Sequence, residues 1–173
     1  MNKNMQRSLT MVLPAFLIAA DQISKKLIVD NIAVNSIGYS FWNDFLWIVH
    51  VKNLGIAFSM GDSVPNFVRI ILFIIIPLIV MAGLVVYILR ANGITVLQRW
   101  LMAGILGGGV GNLIDRIFRP DGVVDFVSVK FYGLFGMERF PVFNVADSSI
   151  VVFGILLLIT FALEGKNKHE QET

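Results

Sequence analysis

The stretch GILGGGVGNLIDR, residues 104–116, carries small and polar residues in two rows along one predicted helix. At a spacing of four, the rows are Gly104, Gly108, Asn112 and Arg116, and Gly107, Gly111 and Asp115. Small residues in a membrane helix let a neighbouring helix approach closely. The stretch therefore predicts a helix over about residues 96–118 whose close-packing surface continues into a polar cluster.

The composition indicates a membrane protein. Of the 173 residues, 56% are hydrophobic and 15% are charged, whereas soluble domains are about 45–50% apolar and about 25% charged. A chain of this size and composition is expected to form one compact bundle in a bilayer. Its net charge of +2 is too small to indicate nucleic-acid binding.

The chain contains no cysteine, which excludes disulfides, thiolate catalysis and cysteine-ligated metals. The two histidines, His50 and His169, lie far apart, so the sequence has no histidine-rich zinc motif. We therefore expect neither a metal nor another cofactor. His50 is expected to be a structural residue in a strand at the membrane interface.

Four apolar segments are each long enough to cross a hydrocarbon core of ~30 Å, which takes about 20 helical residues. They are residues 9–32, 67–89, 96–118 and 141–163. Pro77 is expected to kink the second segment, and Pro141 to occupy the first turn of the fourth. The polar tail, residues 164–173, is expected to be disordered.

The first segment has an alternative interpretation. Residues 1–20 have the basic start, short apolar run and small residues of a cleaved secretory signal peptide. Against cleavage, an apolar stripe at helical spacing continues past Asp21 to Ile32. Asp21 and Lys25, four residues apart, share one face of that helix.

Residues 31–65 do not form another span and are rich in aromatic side chains, as is typical of a membrane–water interface. Within them, WIVHVK at residues 47–52 alternates with a period of two, which predicts a short strand. We predict a small β-cradle over about residues 38–60 on the membrane surface.

Four spans bring both termini to one side of the membrane, and the β-cradle and the loop that carries Asp125 to the other. Polar residues from the whole chain are thereby predicted to meet at one face: Asp21, Lys25, Asn53, Asn112, Asp115, Arg116, Asp125, Asn144 and Asp147. Ionisable groups at this depth are costly and usually face the bundle interior or a wet cavity. The basic, acid-free N-terminus favours termini in the cytoplasm.

Asp125 and Asp147 each stand among apolar residues without an adjacent cation. Two close carboxylates share a proton because both cannot ionise easily. The ionised member then takes a proton from water while the protonated member polarises a substrate carbonyl. If the two residues meet, they form the site of an aspartyl peptidase that needs no metal.

Two other functions are consistent with buried acids. A small proton-coupled carrier uses such groups as a proton relay, but it needs a polar path to both membrane faces, and residues 70–89 are apolar. A non-enzymatic membrane scaffold would use the same residues as a satisfied polar network that holds the bundle together.

Five motifs within residues 9–163 resemble, in order, those of the bacterial lipoprotein signal peptidases (prolipoprotein signal peptidase, signal peptidase II). They are DQISK at 21–25, NLGIAF at 53–58, GNLIDR at 111–116, VDF at 124–126 and FNVAD at 143–147. The resemblance implies a multi-pass aspartyl endopeptidase of the bacterial inner membrane. It would be a helical bundle of four transmembrane helices, the first of them retained, with an extracytoplasmic β-cradle and cytoplasmic termini.

The resemblance also implies the substrate. The family acts on prolipoproteins whose cysteine carries a diacylglyceryl group, and it cleaves just before that cysteine. The active site would lie near the extracytoplasmic face, in contact with membrane lipids. The family-type inhibitor globomycin would bind at the dyad, and the enzyme is expected to be a monomer.

Residue by residue, the resemblance makes Asp125 and Asp147 the catalytic dyad. The matching supporting or substrate-binding positions are Asp21, Lys25, Asn53, Gly55, Asn112, Asp115, Arg116 and Asn144. We expect Asn53 and Arg116 to hold the substrate backbone, and the Asp21–Lys25 pair to support the site. Ile56 departs from the family pattern, in which a small residue is common.

Overall fold

The computed structural model describes residues 3–55 and 65–171. Its helices are α1 (Lys3–Leu9), α2 (Val12–Asn31), α3 (Asn66–Arg90), α4 (Val96–Phe118) and α5 (Val145–Gln171). Its strands are β1 (Ile37–Phe41), β2 (Leu46–Asn53) and β3 (Val123–Val129), which form one antiparallel sheet in the order β1-β2-β3. The fold is mostly helical, and the small sheet joins the helices at one end.

The helix α4 lies between α2 and α5. It starts at a capping box formed by Thr95 and Gln98, and its bounds are those predicted from the sequence. A Cβ added at Gly107 would lie 2.9 Å from the Cα of Pro14 in α2. A Cβ added at Gly108 would lie 2.4 Å from the carbonyl oxygen of Ala146 in α5. The predicted close-packing surface is confirmed, and α4 uses it on two sides.

Three of the described helices are long and apolar enough to cross a membrane. They are Asn66–Arg90, Val96–Phe118 and Val145–Gly165. The outer surfaces of the first and third are covered with exposed apolar side chains, among them Phe67, Ile79 and Leu158. The helix α2 has 20 residues, but its charged residues set it apart from these three in composition.

The prediction of one helix over residues 9–32 is wrong at its start, because the chain turns at Thr10 and Met11 between α1 and α2. The buried hydroxyl of Thr10 donates a hydrogen bond to the Arg7 carbonyl oxygen at 2.6 Å. Pro14 has no N–H with which to bond the Thr10 carbonyl. Together these effects separate the two helices.

Within α3, a π-helical turn at Ile71–Ile75 precedes Pro77. Because proline has no N–H, the Phe73 carbonyl loses the partner it would have in a regular α-helix. In the wider turn the Ile76 N–H bonds to the Ile71 carbonyl instead. Such a local change is one way in which a helix accommodates proline.

The fourth predicted span differs at both ends. Pro141 precedes the helix instead of lying in its first turn, because Phe143 still pairs in strand fashion with Val127 and α5 starts at Val145. At the other end, α5 continues to Gln171. Many of the residues after 163 are good helix formers, and extending an existing helix costs little.

Asp125 lies in β3, not in a loop as predicted. It is paired with Val51 of β2, and the run Val123–Phe126 is buried throughout. Val124 and Phe126 pack against Ile28 and Ile32 near the end of α2, which fixes the sheet to the helices. The predicted β-cradle is confirmed over β1 and β2, and its residues 56–60 lie outside the described part of the chain.

Candidate active site

The residues predicted to meet at one face lie together where α2, α4 and α5 meet the sheet. Asp21 and Lys25 come from α2, Asn53 from β2, Asn112, Asp115 and Arg116 from α4, Asp125 from β3, and Asn144 and Asp147 from the start of α5. Several of them, including Lys25 and Asp115, are completely buried. A buried polar group is tolerated only when it is hydrogen-bonded, so the pairing of these groups defines the site.

Lys25 is the centre of one half of the site. Its ammonium lies 2.7 Å from Asp21 Oδ2 and 2.9 Å from Asp115 Oδ2, and it donates to Asn112 Oδ1 at 3.1 Å. An ammonium has three N–H donors, and all three are used. The two carboxylates of this half are matched by two cations, the Lys25 ammonium and Arg119, whose Nε lies 3.1 Å from Asp115 Oδ1.

Asp21 and Asp115 also hold the elements that carry the two candidate catalytic acids. Asp21 Oδ1 accepts a hydrogen bond at 3.0 Å from the Ala146 N–H, in the first turn of α5. Asp115 Oδ2 accepts one at 3.3 Å from the Val124 N–H, which is adjacent to Asp125 in β3. The charged triad of Asp21, Lys25 and Asp115 therefore fixes both the helix start and the strand.

Asn144 caps the start of α5 and links the two acids. The side-chain oxygen of Asn144 accepts a hydrogen bond from the backbone N–H of Asp147 at 2.9 Å. The backbone N–H of Asn144 donates one to Asp147 Oδ2 at 3.1 Å. This is a reciprocal capping box, in which Asp147 takes the third position of the helix. The Asn144 amide nitrogen donates to Asp125 Oδ1 at 2.7 Å and to Asn112 Oδ1 at 3.1 Å. Asn144 is thus hydrogen-bonded to both acids.

Asp125 is buried and accepts two amide hydrogen bonds, from Asn144 to Oδ1 and from Asn53 to Oδ2, the latter at 2.9 Å. Burial disfavours its charged form and raises the pKa of Asp125 to about 6, and the charge of Asp147 acts in the same direction. The two amide donors favour the charged form and limit the rise. Asp125 therefore exchanges its proton near neutral pH.

Asp147 is half-buried, and Asn112 donates to its Oδ1 at 2.7 Å. Neither Asp125 nor Asp147 takes part in any of the salt bridges formed by the described residues. Within this part of the chain, no cation therefore lies in salt-bridge distance of either acid.

Arg116 faces the same site with an unused donor. Its guanidinium lies 5.4 Å from the centre of the Phe73 ring, and its buried Nε has no hydrogen-bond partner among the described residues. Arg116 also lines a groove of about 810 Å³ that reaches Asn53. The groove has an apolar wall from α3, including Ile70 and Phe73, and further cations at Arg69 and Arg119.

Gly55 and Gly111 are both needed as glycine. Gly55 has φ of +83°, and its N–H bonds to Asn53 Oδ1 at 2.8 Å, which closes a tight turn beside Asp125. A Cβ at Gly111 would lie 2.8 Å from Asp21 Oδ2. Ile56, the residue that departs from the family pattern, lies outside the described residues.

Two site residues were missed from the sequence, Gln22 and Arg119. Gln22 Nε2 lies 3.1 Å from both Asp21 Oδ2 and Asp115 Oδ1, and Arg119 Nε lies 3.1 Å from Asp115 Oδ1. Arg119 follows Asp115 by four residues, a helical spacing that was available in the sequence. His50 stays outside the site, with Nδ1 bonded to the Ile32 carbonyl oxygen at 2.7 Å.

Known proteins resemble this chain over most of its length. The family described as Signal peptidase (SPase) II matches residues 13–163. A lipoprotein signal peptidase of Treponema pallidum (strain Nichols) is 44% identical over 154 residues, which cover 89% of this chain and 83% of that protein. One of Treponema denticola is 43% identical over 165 residues, 95% of each chain.

A solved structure described as a bacterial membrane enzyme, determined by the in meso method, has a TM-score of 0.77 and 26% identity. The match covers 93% of this chain and 92% of that one. Family, relatives and structure agree with one another. The chain belongs to the signal peptidase II family.

Proposed function

We propose that Asp125 and Asp147 are the catalytic pair with which this chain removes signal peptides from prolipoproteins. The chain is an aspartic peptidase of the signal peptidase II family, and prolipoproteins are that family's substrates. The observation that carries the assignment is the link through Asn144, which bonds to both carboxylates. The carrier alternative is not supported, because the relatives are named as peptidases.

The proton of the resting pair is assigned to Asp125. Its pKa is raised to about 6, chiefly by burial. Asp147 also accepts two amide hydrogen bonds, but it is half-buried and therefore more open to water than the buried Asp125. Asp147 is then the base that activates water, and Asp125 is the acid that polarises the substrate carbonyl.

Hydrolysis proceeds in two balanced steps. First, Asp147 takes a proton from water, the hydroxide adds to the scissile carbonyl carbon, and Asp125 gives its proton to the carbonyl oxygen. Next, Asp147 gives its proton to the amide nitrogen, the C–N bond breaks, and one hydroxyl of the intermediate returns a proton to Asp125. The pair ends in its starting protonation state.

The groove beside Asn53 is proposed to bind a diacylglyceryl-modified substrate, cleaved just before the lipidated cysteine. Its apolar wall on α3 suits acyl chains, and Arg116, which lines the groove, carries a guanidinium that suits a backbone carbonyl of the peptide. Both ends of the Asn53 amide are already bonded, to Asp125 and to the Gly55 N–H. We therefore assign Asn53 to orienting Asp125, in place of the substrate-holding role expected from the sequence. Globomycin is expected to occupy the same groove and dyad.

We also propose that α2 is a fourth transmembrane helix, so that the chain is a single membrane domain over residues 1–173. Twenty helical residues span about 30 Å. The charged Asp21 and Lys25 are completely buried and paired, while Phe16 and Ile23 are exposed. The surface that α2 offers to lipid in this region is thus apolar.

With four spans, both termini lie on one side of the membrane and the sheet with the dyad on the other. We propose that the termini are cytoplasmic and the dyad extracytoplasmic, in the inner membrane of a bacterium, and that the enzyme acts as a monomer.

The direct test is processing of a diacylglyceryl-modified prolipoprotein by the purified protein, followed by a gel shift. Asp125→Asn and Asp147→Asn are each expected to lower the cleavage rate by at least about 10²–10⁴-fold, the typical contribution of one acid–base group. Asp30→Asn is the matched control, because Asp30 is exposed and pairs with Lys26 away from the site.

Each variant is also melted in detergent, so that loss of the fold is distinguished from loss of chemistry. A folded Asp125→Asn or Asp147→Asn variant that cleaves at the rate of Asp30→Asn would disprove the dyad. If the protein were a carrier or a scaffold, the unmodified protein would not cleave the prolipoprotein.

A further inference from the structure

A second polar cavity, of about 300 Å³, lies at the end of the molecule opposite the candidate active site. It is enclosed by α1, by the loop after α3 and by the first turn of α4. Arg7, Asn92 and Arg99 form its polar wall, and none of the described residues that line it is acidic. The cavity is therefore strongly positive, although it takes no part in peptide hydrolysis.

Arg99 is buried in the wall of this cavity and caps the end of α3. Its terminal nitrogens donate to the carbonyl oxygens of Ile88 and Ala91, the latter at 2.8 Å. Carbonyl oxygens satisfy individual N–H donors, but they do not neutralise a full positive charge. Within the described residues, no carboxylate lies in salt-bridge distance of Arg99.

Arg7 brings a second guanidinium to the same point. It donates to the Ala91 carbonyl oxygen at 3.3 Å and also to Asn92 Oδ1. Two cations thus share one neutral acceptor, and their repulsion is stronger near a membrane than in bulk water. An anion held between the two guanidinium groups would relieve that repulsion.

We propose that this cavity binds the phosphate group of a phosphate ester. Guanidinium groups bind phosphate oxygens in a planar, bidentate fashion, and basic pockets between membrane helices are suited to phospholipid head groups. The cavity's volume is at the lower end of ligand sites, so it holds a head group and no acyl chain. Leu9 and Val96 line it and are exposed, which gives acyl chains an apolar path outward. The ester is either a membrane phospholipid or a soluble phosphate ester.

The test is a thermal melt of the purified, detergent-solubilised full-length protein during titration with four probes. The probes are short-chain phosphatidylglycerol, short-chain phosphatidylcholine, glycerol 3-phosphate and inorganic phosphate. Saturable stabilisation by phosphatidylglycerol alone supports the site with a lipid as its ligand. If glycerol 3-phosphate also stabilises the protein in a saturable way, the site is supported and its ligand is a soluble phosphate ester.

The deciding variant is Arg7→Gln, compared with Arg90→Gln. Arg90 is exposed in the last turn of α3, carries the same charge at the same end and is not in the described cavity lining. Arg7→Gln is expected to raise the half-saturating concentration roughly tenfold, the effect of one lost charge-assisted hydrogen bond, and Arg90→Gln to leave it unchanged. Arg7→Lys keeps the positive charge but loses the planar guanidinium. Its half-saturating concentration is expected to lie between those of Arg90→Gln and Arg7→Gln.

Either of two results overturns the proposal. One is no saturable stabilisation by any phosphate-bearing probe. The other is an equal half-saturating concentration in the unmodified protein, Arg7→Gln and Arg7→Lys. Peptidase activity is not used as a readout, so failure of the catalytic assignment does not affect this test.

Discussion

At the scale of single residues, two adjacent lysines on α2 have opposite environments. Lys25 is completely buried between Asp21 and Asp115, whereas Lys26 is exposed and pairs with Asp30 on the surface. Removing one partner of a buried ion pair leaves an uncompensated charge and costs about 3–5 kcal/mol. An exposed pair contributes about 0–1 kcal/mol.

We therefore expect Lys25→Met to lower the free energy of unfolding by about 3–5 kcal/mol, and Lys26→Met by at most about 1 kcal/mol. Denaturant unfolding in detergent measures both. Adding Asp21→Asn to Lys25→Met should recover part of the loss, because it removes the buried carboxylate whose ion-pair partner among the described residues is Lys25, whereas Asp115 keeps Arg119. Equal stability of the two single variants would contradict the buried triad.

The hydrogen bond from Asn53 to Asp125 predicts a change in pH dependence. Protonated Asp125 is the active form, so kcat/KM should fall as pH rises through about 6, the raised pKa of Asp125. Asn53 favours the ionised form, so Asn53→Ala should raise that pKa further. The alkaline limb of the kcat/KM profile then moves to higher pH.

The control is Asn31→Ala, since Asn31 is exposed at the end of α2 and bonds only to the Leu27 carbonyl among its described contacts. It should leave the profile unchanged. A shift of the alkaline limb to lower pH in Asn53→Ala would show that Asn53 does not stabilise the Asp125 carboxylate.

At the scale of elements, the contact of α4 with α5 positions the site. A methyl group at Gly108 would lie 2.4 Å from the Ala146 carbonyl oxygen, next to Asp147. A backbone atom cannot move aside as a side chain does, so Gly108→Ala should push the two helices apart. We expect it to lower the free energy of unfolding by about 1–3 kcal/mol. Cleavage activity should fall with it, because Asn112 and Asp147 move apart.

Gly154→Ala in α5 is the matched control, because nothing lies within 4 Å of its Cβ position. Alanine is a better helix former than glycine by about 1 kcal/mol, so this variant should melt at the same or a higher temperature. Thermal melting and the gel-shift assay measure both effects. A Gly108→Ala protein as stable as Gly154→Ala would be inconsistent with the close contact.

Elements with a regular pattern were predicted best. The bounds of α4 follow from its glycine rows and from the Thr95 cap, which are local features of the sequence. Asp125 was assigned to a loop because a buried strand gives a short apolar run without alternation. The turn at Thr10 and Met11, which the Thr10 hydrogen bond and Pro14 produce together, was missed because the apolar run continues through it.

At the scale of the whole molecule, the proposed topology is tested with single cysteines, because the chain has none of its own. Ala33→Cys lies after α2 at the sheet end, and Gly93→Cys lies between α3 and α4 at the other; both positions are exposed. In right-side-out membrane vesicles, a membrane-impermeant maleimide should label Ala33→Cys only.

Vesicles opened with detergent give the control, in which both cysteines should react. Labelling of both positions in sealed vesicles would contradict a membrane crossing by α3, which lies between Ala33 and Gly93 in the chain. Labelling of Gly93→Cys alone would reverse the proposed orientation and put the dyad in the cytoplasm.

The sequence by itself determined the class of the protein, most of its helices and most of the polar residues that form the site. Hydropathy and residue spacing are local properties, so they are legible without a structure. The tertiary structure decided which of those residues bond to one another. Asp21 and the Ala146 N–H are 125 residues apart in the chain, and only the packing of α2 against α4 and α5 brings them together. The capping box between Asn144 and Asp147 is local in the chain, but the hydrogen bond from Asn144 to Asp125, 19 residues away, needs the strand β3 to lie beside the start of α5.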